Sequence, residues 1–290
     1  MNSLTCLPVL RRRGASPPPA NKTSAWLTSR AAIVTALMMA GWPVIRWYIA
    51  RMSDGSDEPW GLAALVVALL FAPRRSWLEQ LKPTRILFLC VLVAGYTASY
   101  AFLPPLAHAL IFVTVLSVVV SQREFSLAWW SLLVLSLPIV ASLQFYLGYP
   151  LRLVTTALCV PLLWVGGLHV TAIGTALRCA GETVIVDAPC SGIHMLWTGL
   201  FLAALLACWQ QLGLRQSFRL LRRASFIVFV ANVLRATALF CIESKLWPSR
   251  PWAHEAVGLT LFSVAAGTIV WVSNPKTGTD SAGLTQCGTG

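Results

Sequence analysis

The stretch Ala224-Ser225-Phe226-Ile227-Val228-Phe229-Val230-Ala231-Asn232-Val233-Leu234-Arg235-Ala236-Thr237-Ala238-Leu239-Phe240-Cys241-Ile242 follows a basic cluster, Arg215, Arg219, Arg222 and Arg223. A helix needs roughly 20 apolar residues to cross a bilayer, and Lys and Arg gather at the cytoplasmic ends of such helices. The stretch therefore reads as a transmembrane helix running outward. Asn232 and Arg235, three residues apart, share one of its faces. An arginine inside a span is costly and faces protein or a water-filled cavity, which makes it a functional candidate; the alternative is an arginine that serves packing or topology. Arg235 lies seven residues below the outer end of the run, roughly 10 Å at helical rise, and from there it can snorkel to the outer surface.

The rest of the composition agrees. Of 290 residues, 57% are hydrophobic and 11% charged, well below the share of about a quarter charged that soluble domains carry. A net charge of +12 would suit nucleic acid, but the basic residues sit in short clusters between apolar runs, with Arg74, Arg75, Lys82 and Arg85 forming another. That is a topology signal and argues against a nucleic-acid face. Among the eight cysteines, Cys90, Cys159, Cys208 and Cys241 lie in apolar stretches, where a free thiol behaves as a small hydrophobe. Cys179 and Cys190 share one loop and could bridge, which spacing alone does not establish. With no CxxC pair, HExxH or nucleotide-binding glycine loop, no metal, ATP or other cofactor is implied.

Working outward, nine apolar segments stand at about 26–50, 60–72, 84–103, 106–121, 125–147, 151–168, 192–212, 224–242 and 257–273. The loops near residues 80 and 219 are both basic and belong on the inside, so an even number of crossings separates them. Five segments lie between. The one to demote is 151–168, where Arg152, Thr155, Thr156 and Cys159 form a polar stripe and Pro161 interrupts the run. That pattern suits a helix lying in the membrane interface. The expected fold is an all-α membrane protein of about eight transmembrane helices, with an interfacial helix and a short outer β-hairpin. Residues 1–24, with Arg11-Arg12-Arg13 and Pro17-Pro18-Pro19, read as a disordered basic cytoplasmic tail. The Arg run before an apolar segment resembles an export signal, but no small-residue cleavage site follows, which points to a retained anchor. Residues 25–273 form the polytopic domain, and 274–290 a second disordered tail.

Everything from about 148 to 191 is then outside. His169–Ile173 and Glu182–Val186 alternate polar and apolar residues like two strands, with Gly174 and Gly181 near the turn. After them comes Asp187-Ala188-Pro189-Cys190-Ser191-Gly192-Ile193-His194. Pro189 favours a helix start, which would put Cys190 in the first turn, where the helix dipole lowers a thiol's pKa. The plain alternative is a small residue at a helix start with no chemistry. Ser191 would help to cap that helix. His254 opens the last helix at the same face. A thiol, a guanidinium and an imidazole thus reach one side of the membrane. His194, four residues after Cys190 on the same helix face, is a rival to His254 as the thiol's partner.

The ordered set Cys190-Ser191-Gly192-Ile193, Asn232-x-x-Arg235 and His254-x-x-x-Gly258 resembles the exosortase/archaeosortase family of polytopic membrane cysteine transpeptidases, over roughly residues 30 to 272. Asp54-Gly55-Ser56-Asp57-Glu58-Pro59-Trp60 and Gln144 agree with it. His194 stands where the family often has Arg. The resemblance implies catalysis by Cys190, Arg235 and His254, supported by Asn232, His194, Ser191, Gly192 and Gln144. It also implies a place in the bacterial cytoplasmic membrane with the site facing outward. The implied partners are membrane lipid, an unidentified acceptor nucleophile, and exported proteins bearing a C-terminal motif, transmembrane helix and basic tail (a PEP-CTERM-like signal). The alternatives are a transporter with an inert Cys190, and a scaffold or accessory subunit of an exopolysaccharide export system.

Overall fold

A computed structural model describes residues 30–53, 60–72, 83–99, 102–121, 125–179, 182–185, 191–244 and 252–274. Six helices come first: α1 (Arg30–Ala40), α2 (Trp42–Ser53), α3 (Trp60–Leu70), α4 (Pro83–Ser99), α5 (Pro105–Val120) and α6 (Leu127–Ser136). The long α7 (Val140–Val165) leads into strands β1 (Thr171–Ile173), β2 (Ala176–Cys179) and β3 (Glu182–Ile185). Helices α8 (Ile193–Trp209), α9 (Leu214–Glu243) and α10 (Ala253–Ser273) complete the described chain. In lipid a helix satisfies its own backbone groups, so a chain this apolar folds as helices. Among the described residues, α7, α9 and α10 are long and apolar enough to cross a membrane, and the other apolar helices are shorter. The expected disordered tails, apart from Asn274, and the Asp54–Pro59 motif lie outside the described residues.

Small side chains set the closest helix contacts, as expected where apolar burial gives helices little drive to associate. Gly61, Ala64 and Ala68 form a buried stripe on α3, and a Cβ on Gly61 would stand 2.7 Å from the Ser136 carbonyl oxygen of α6. On α8 the stripe is Gly199, Ala203 and Ala207, buried with Ala224 and Val228 of α9. A Cβ on Gly199 would collide with Val228 Cγ2. Residues 192 and 199 of α8 meet 232 and 228 of α9, so the two helices run antiparallel.

Two indoles repair helix ends. The Trp129 Nε1–H donates to the Ala68 carbonyl at 2.8 Å, and the Trp197 Nε1–H donates to the Leu135 carbonyl at 3.1 Å. Both carbonyls belong to the last turn of a helix, where no intrahelical N–H is available.

Two expectations are corrected. The break anticipated near residue 148 falls instead at Leu137-Pro138-Ile139, and residues 140–165 form one 26-residue helix with Pro150 and Pro161 inside it. Segment 151–168 is thus no separate interfacial helix. Gln144 bonds Ser191, next to the Gly192 that abuts Asn232, while the Cys159 thiol reaches the Val233 carbonyl at 3.6 Å. The first part of α7 thus reaches the segment before α8, and its later part reaches α9. The second correction concerns the hairpin. The outer segment is a three-stranded antiparallel sheet, with Ala176-Leu177-Arg178-Cys179 as the unforeseen middle strand. Val170 and Leu177 bury with Cys159, Val233, Ala236 and Phe240, which seats the sheet on α7 and the second half of α9.

Candidate active site

The residues after Cys190 are pressed flat against α9. Gly192 caps α8 with φ 79° and ψ 6°, a left-handed conformation, and a Cβ there would lie 2.5 Å from Asn232 Cγ. Asn232 is only 3% exposed. Glycine is required here twice over, by dihedral and by space. Left-handed backbone costs other residues roughly 1–2 kcal/mol, and overpacking adds about 1–3 kcal/mol. Gly192→Ala is therefore expected to lower the thermal unfolding midpoint in detergent and to weaken activity. An unchanged midpoint would show that the Gly192–Asn232 contact yields without cost.

Ser191 is buried, and its hydroxyl donates to Gln144 Oε1 at 2.9 Å. The expected capping role is thus corrected: Ser191 ties the segment to α7, and the N-cap position of α8 is taken by Gly192, which has no side chain to cap with. The α-helical part of α8 begins at Ile193, behind the left-handed Gly192. Cys190, and with it the thiol's expected place in a first helical turn, lies outside the described residues, as does Asp187. Cys179, on β2, is a free thiol.

Arg235 sits half-buried between two neighbours. Its Nη1 points at Met195 Sδ of α8, 3.9 Å away. On the other side it packs on Gly258 of α10, where a Cβ would stand 3.3 Å from Nε. Among the described residues the buried Nε–H has no hydrogen-bond partner. The guanidinium is therefore held in place by packing, with donor capacity to spare.

One turn before Gly258 on α10, His254 Nε2 meets Glu243 Oε1, at the last residue of α9, at 3.1 Å. The two side chains are 48% and 40% exposed, so the pair adds little stability; its geometric effect is to fix the imidazole. Arg235 with Gly258 and Glu243 with His254 also set α9 and α10 antiparallel. His194 is exposed on α8, while its neighbour Met195 faces Arg235.

The structure thus brings Gln144, Ser191, Gly192, Asn232 and Arg235 together, with His254 one turn beyond and His194 turned outward. Sequence reasoning missed Glu243. Its signal was a lone carboxylate closing a run whose only other charge is Arg235. The chain matches, over residues 26–271, the family model described as transmembrane exosortase. No curated protein and no solved structure matches it.

Proposed function

The chain belongs to the transmembrane exosortase family, and on that premise we propose that it cuts exported proteins at a C-terminal sorting signal by cysteine chemistry. What carries this reading is the meeting of three separated sequence motifs: Gly192 lies on Asn232, and Arg235 lies on Gly258. The Cys190 thiolate attacks the carbonyl carbon just before the substrate's transmembrane helix, forming a thioester and releasing the helix with its basic tail as an amine. Arg235 stabilises the oxyanion with the N–H capacity it holds in reserve. His254 takes the thiol proton and passes it to the leaving amine. With Nε2–H committed to Glu243, the imidazole presents Nδ1 as its basic nitrogen. Asn232, Ser191, Gly192 and Gln144 hold the segment carrying Cys190. A second nucleophile, water or the amine or hydroxyl of an acceptor, releases the product.

The sidedness that suits this chemistry puts Arg215–Arg223 inside and Arg235 outside the bacterial cytoplasmic membrane, with about eight crossings in all. A substrate halted in export then presents its motif beside Arg235.

The test is to incubate the purified protein with a substrate carrying the motif, helix and basic tail, and to weigh the products by mass spectrometry. Tail release is expected, and its absence with a genomically paired substrate would sink the proposal. In the same assay His254→Ala should lose roughly 10²–10⁴-fold in rate, Glu243→Gln less, and His194→Ala little. An active His254→Ala variant would move the base to another residue.

A further inference from the structure

At the end of α9 remote from Arg235 lies a second constellation, which the proposed chemistry does not use. Arg215, Arg219 and Arg222 follow at i, i+4 and i+7, and with Phe226 they line one exposed face of the helix. Beside Arg215 and Arg219 open two adjoining hollows of about 690 and 680 Å³, walled by Leu127, Leu214 and Phe218 in one and by Phe125 in the other. Among the described residues no carboxylate pairs with these arginines. Twenty residues of helix separate Arg215 from Arg235, roughly 30 Å, and the apolar run from Ala224 begins between them.

We infer that this cleft binds the headgroup of an anionic phospholipid in the inner leaflet. Two guanidinium forks match a phosphodiester's oxygens, while Phe125, Leu127 and Phe218 offer apolar contact to the glycerol and the first methylenes. The half-open, mixed lining suits an amphiphile better than a small soluble ion. A soluble anion would leave the apolar wall wet, and a basic peptide would be repelled. Binding here pins the inner end of a 30-residue helix to the inner headgroups, and so fixes the depth at which Arg235 sits in the outer half of the span.

The test uses the full chain, purified in detergent and offered phosphatidylglycerol or phosphatidylcholine, with retained lipid counted by native mass spectrometry. The wild type should retain phosphatidylglycerol about thirtyfold better than phosphatidylcholine, a ratio that corresponds to about 2 kcal/mol shared by the two arginines. Arg215→Gln with Arg219→Gln should abolish the preference, whereas Arg178→Gln, on β2, should keep it. Equal retention of the two lipids, or a preference surviving the double variant, would overturn the inference. Displacement of the lipid by inorganic phosphate would reassign the cleft to a soluble anion. Should the double variant not fold, wild type in high salt decides between the same outcomes, because screening must erase a preference built on these exposed charges. None of these outcomes depends on proteolytic activity, so the two proposals stand or fall separately.

Discussion

Replacing Cys190 with alanine is expected to abolish removal of the substrate tail while leaving membrane insertion intact. The reason is stoichiometric: with no sulfur there is no thioester, and the remaining groups only position and polarise. Losing the nucleophile of a cooperating set costs about as much as losing the whole set, on the order of 10⁶-fold in a hydrolase studied this way. Co-expression with a tail-bearing protein gives the readout, supported by a trapped thioester adduct in the wild type. The expected variant accumulates full-length substrate. Unchanged processing would remove Cys190 from the mechanism and bring the transporter reading forward.

Arg235→Ala should separate activity from stability. A group that stabilises the oxyanion is worth roughly 10²–10³-fold in rate, and that is the expected loss. The fold, by contrast, should hold. Arg235 makes one long contact to Met195 Sδ and keeps a buried N–H unfilled among the described residues. An unsatisfied buried donor costs about 1–3 kcal/mol, so removing it should leave the unfolding midpoint unchanged or raise it. Sites that hold polar capacity ready for a transition state commonly trade stability for function in this way. Arg235→Lys keeps the charge but not the planar fork, and should fall between. If activity and midpoint dropped together, Arg235 would be a structural arginine.

Much of this was legible in the sequence, and the failures have physical reasons. The helix containing Arg235 could be read because hydropathy and charge both act along the chain. The α6–α7 break could not, because Leu137-Pro138-Ile139 is as apolar as its flanks and hydropathy is blind to dihedrals. Pro161 misled in the opposite sense: an interior proline removes an N–H and usually ends or kinks a helix, yet α7 continues through it, as it does through Pro150. The middle strand escaped because Ala176-Leu177-Arg178-Cys179 shows no clean alternation; its partners select it. In the site, residue types and order gave the participants. The Glu243–His254 pair, the bond from Ser191 to Gln144, and the role of Gly258 as a seat for Arg235 depend on how distant helices pack. The placement of Cys190 still rests on sequence order.

The two indole bonds carry a consequence for biogenesis. The Ala68 carbonyl waits for Trp129, 61 residues later, and the Leu135 carbonyl for Trp197, 62 residues later. At a synthesis rate of about 5–20 residues per second, each helix end stays unrepaired for several seconds after it is made. During that interval its polar oxygen must be kept from lipid by water, by the insertion machinery or by a provisional neighbour. The protein is therefore completed in relays, each new helix closing the fault left by one made two or three helices before.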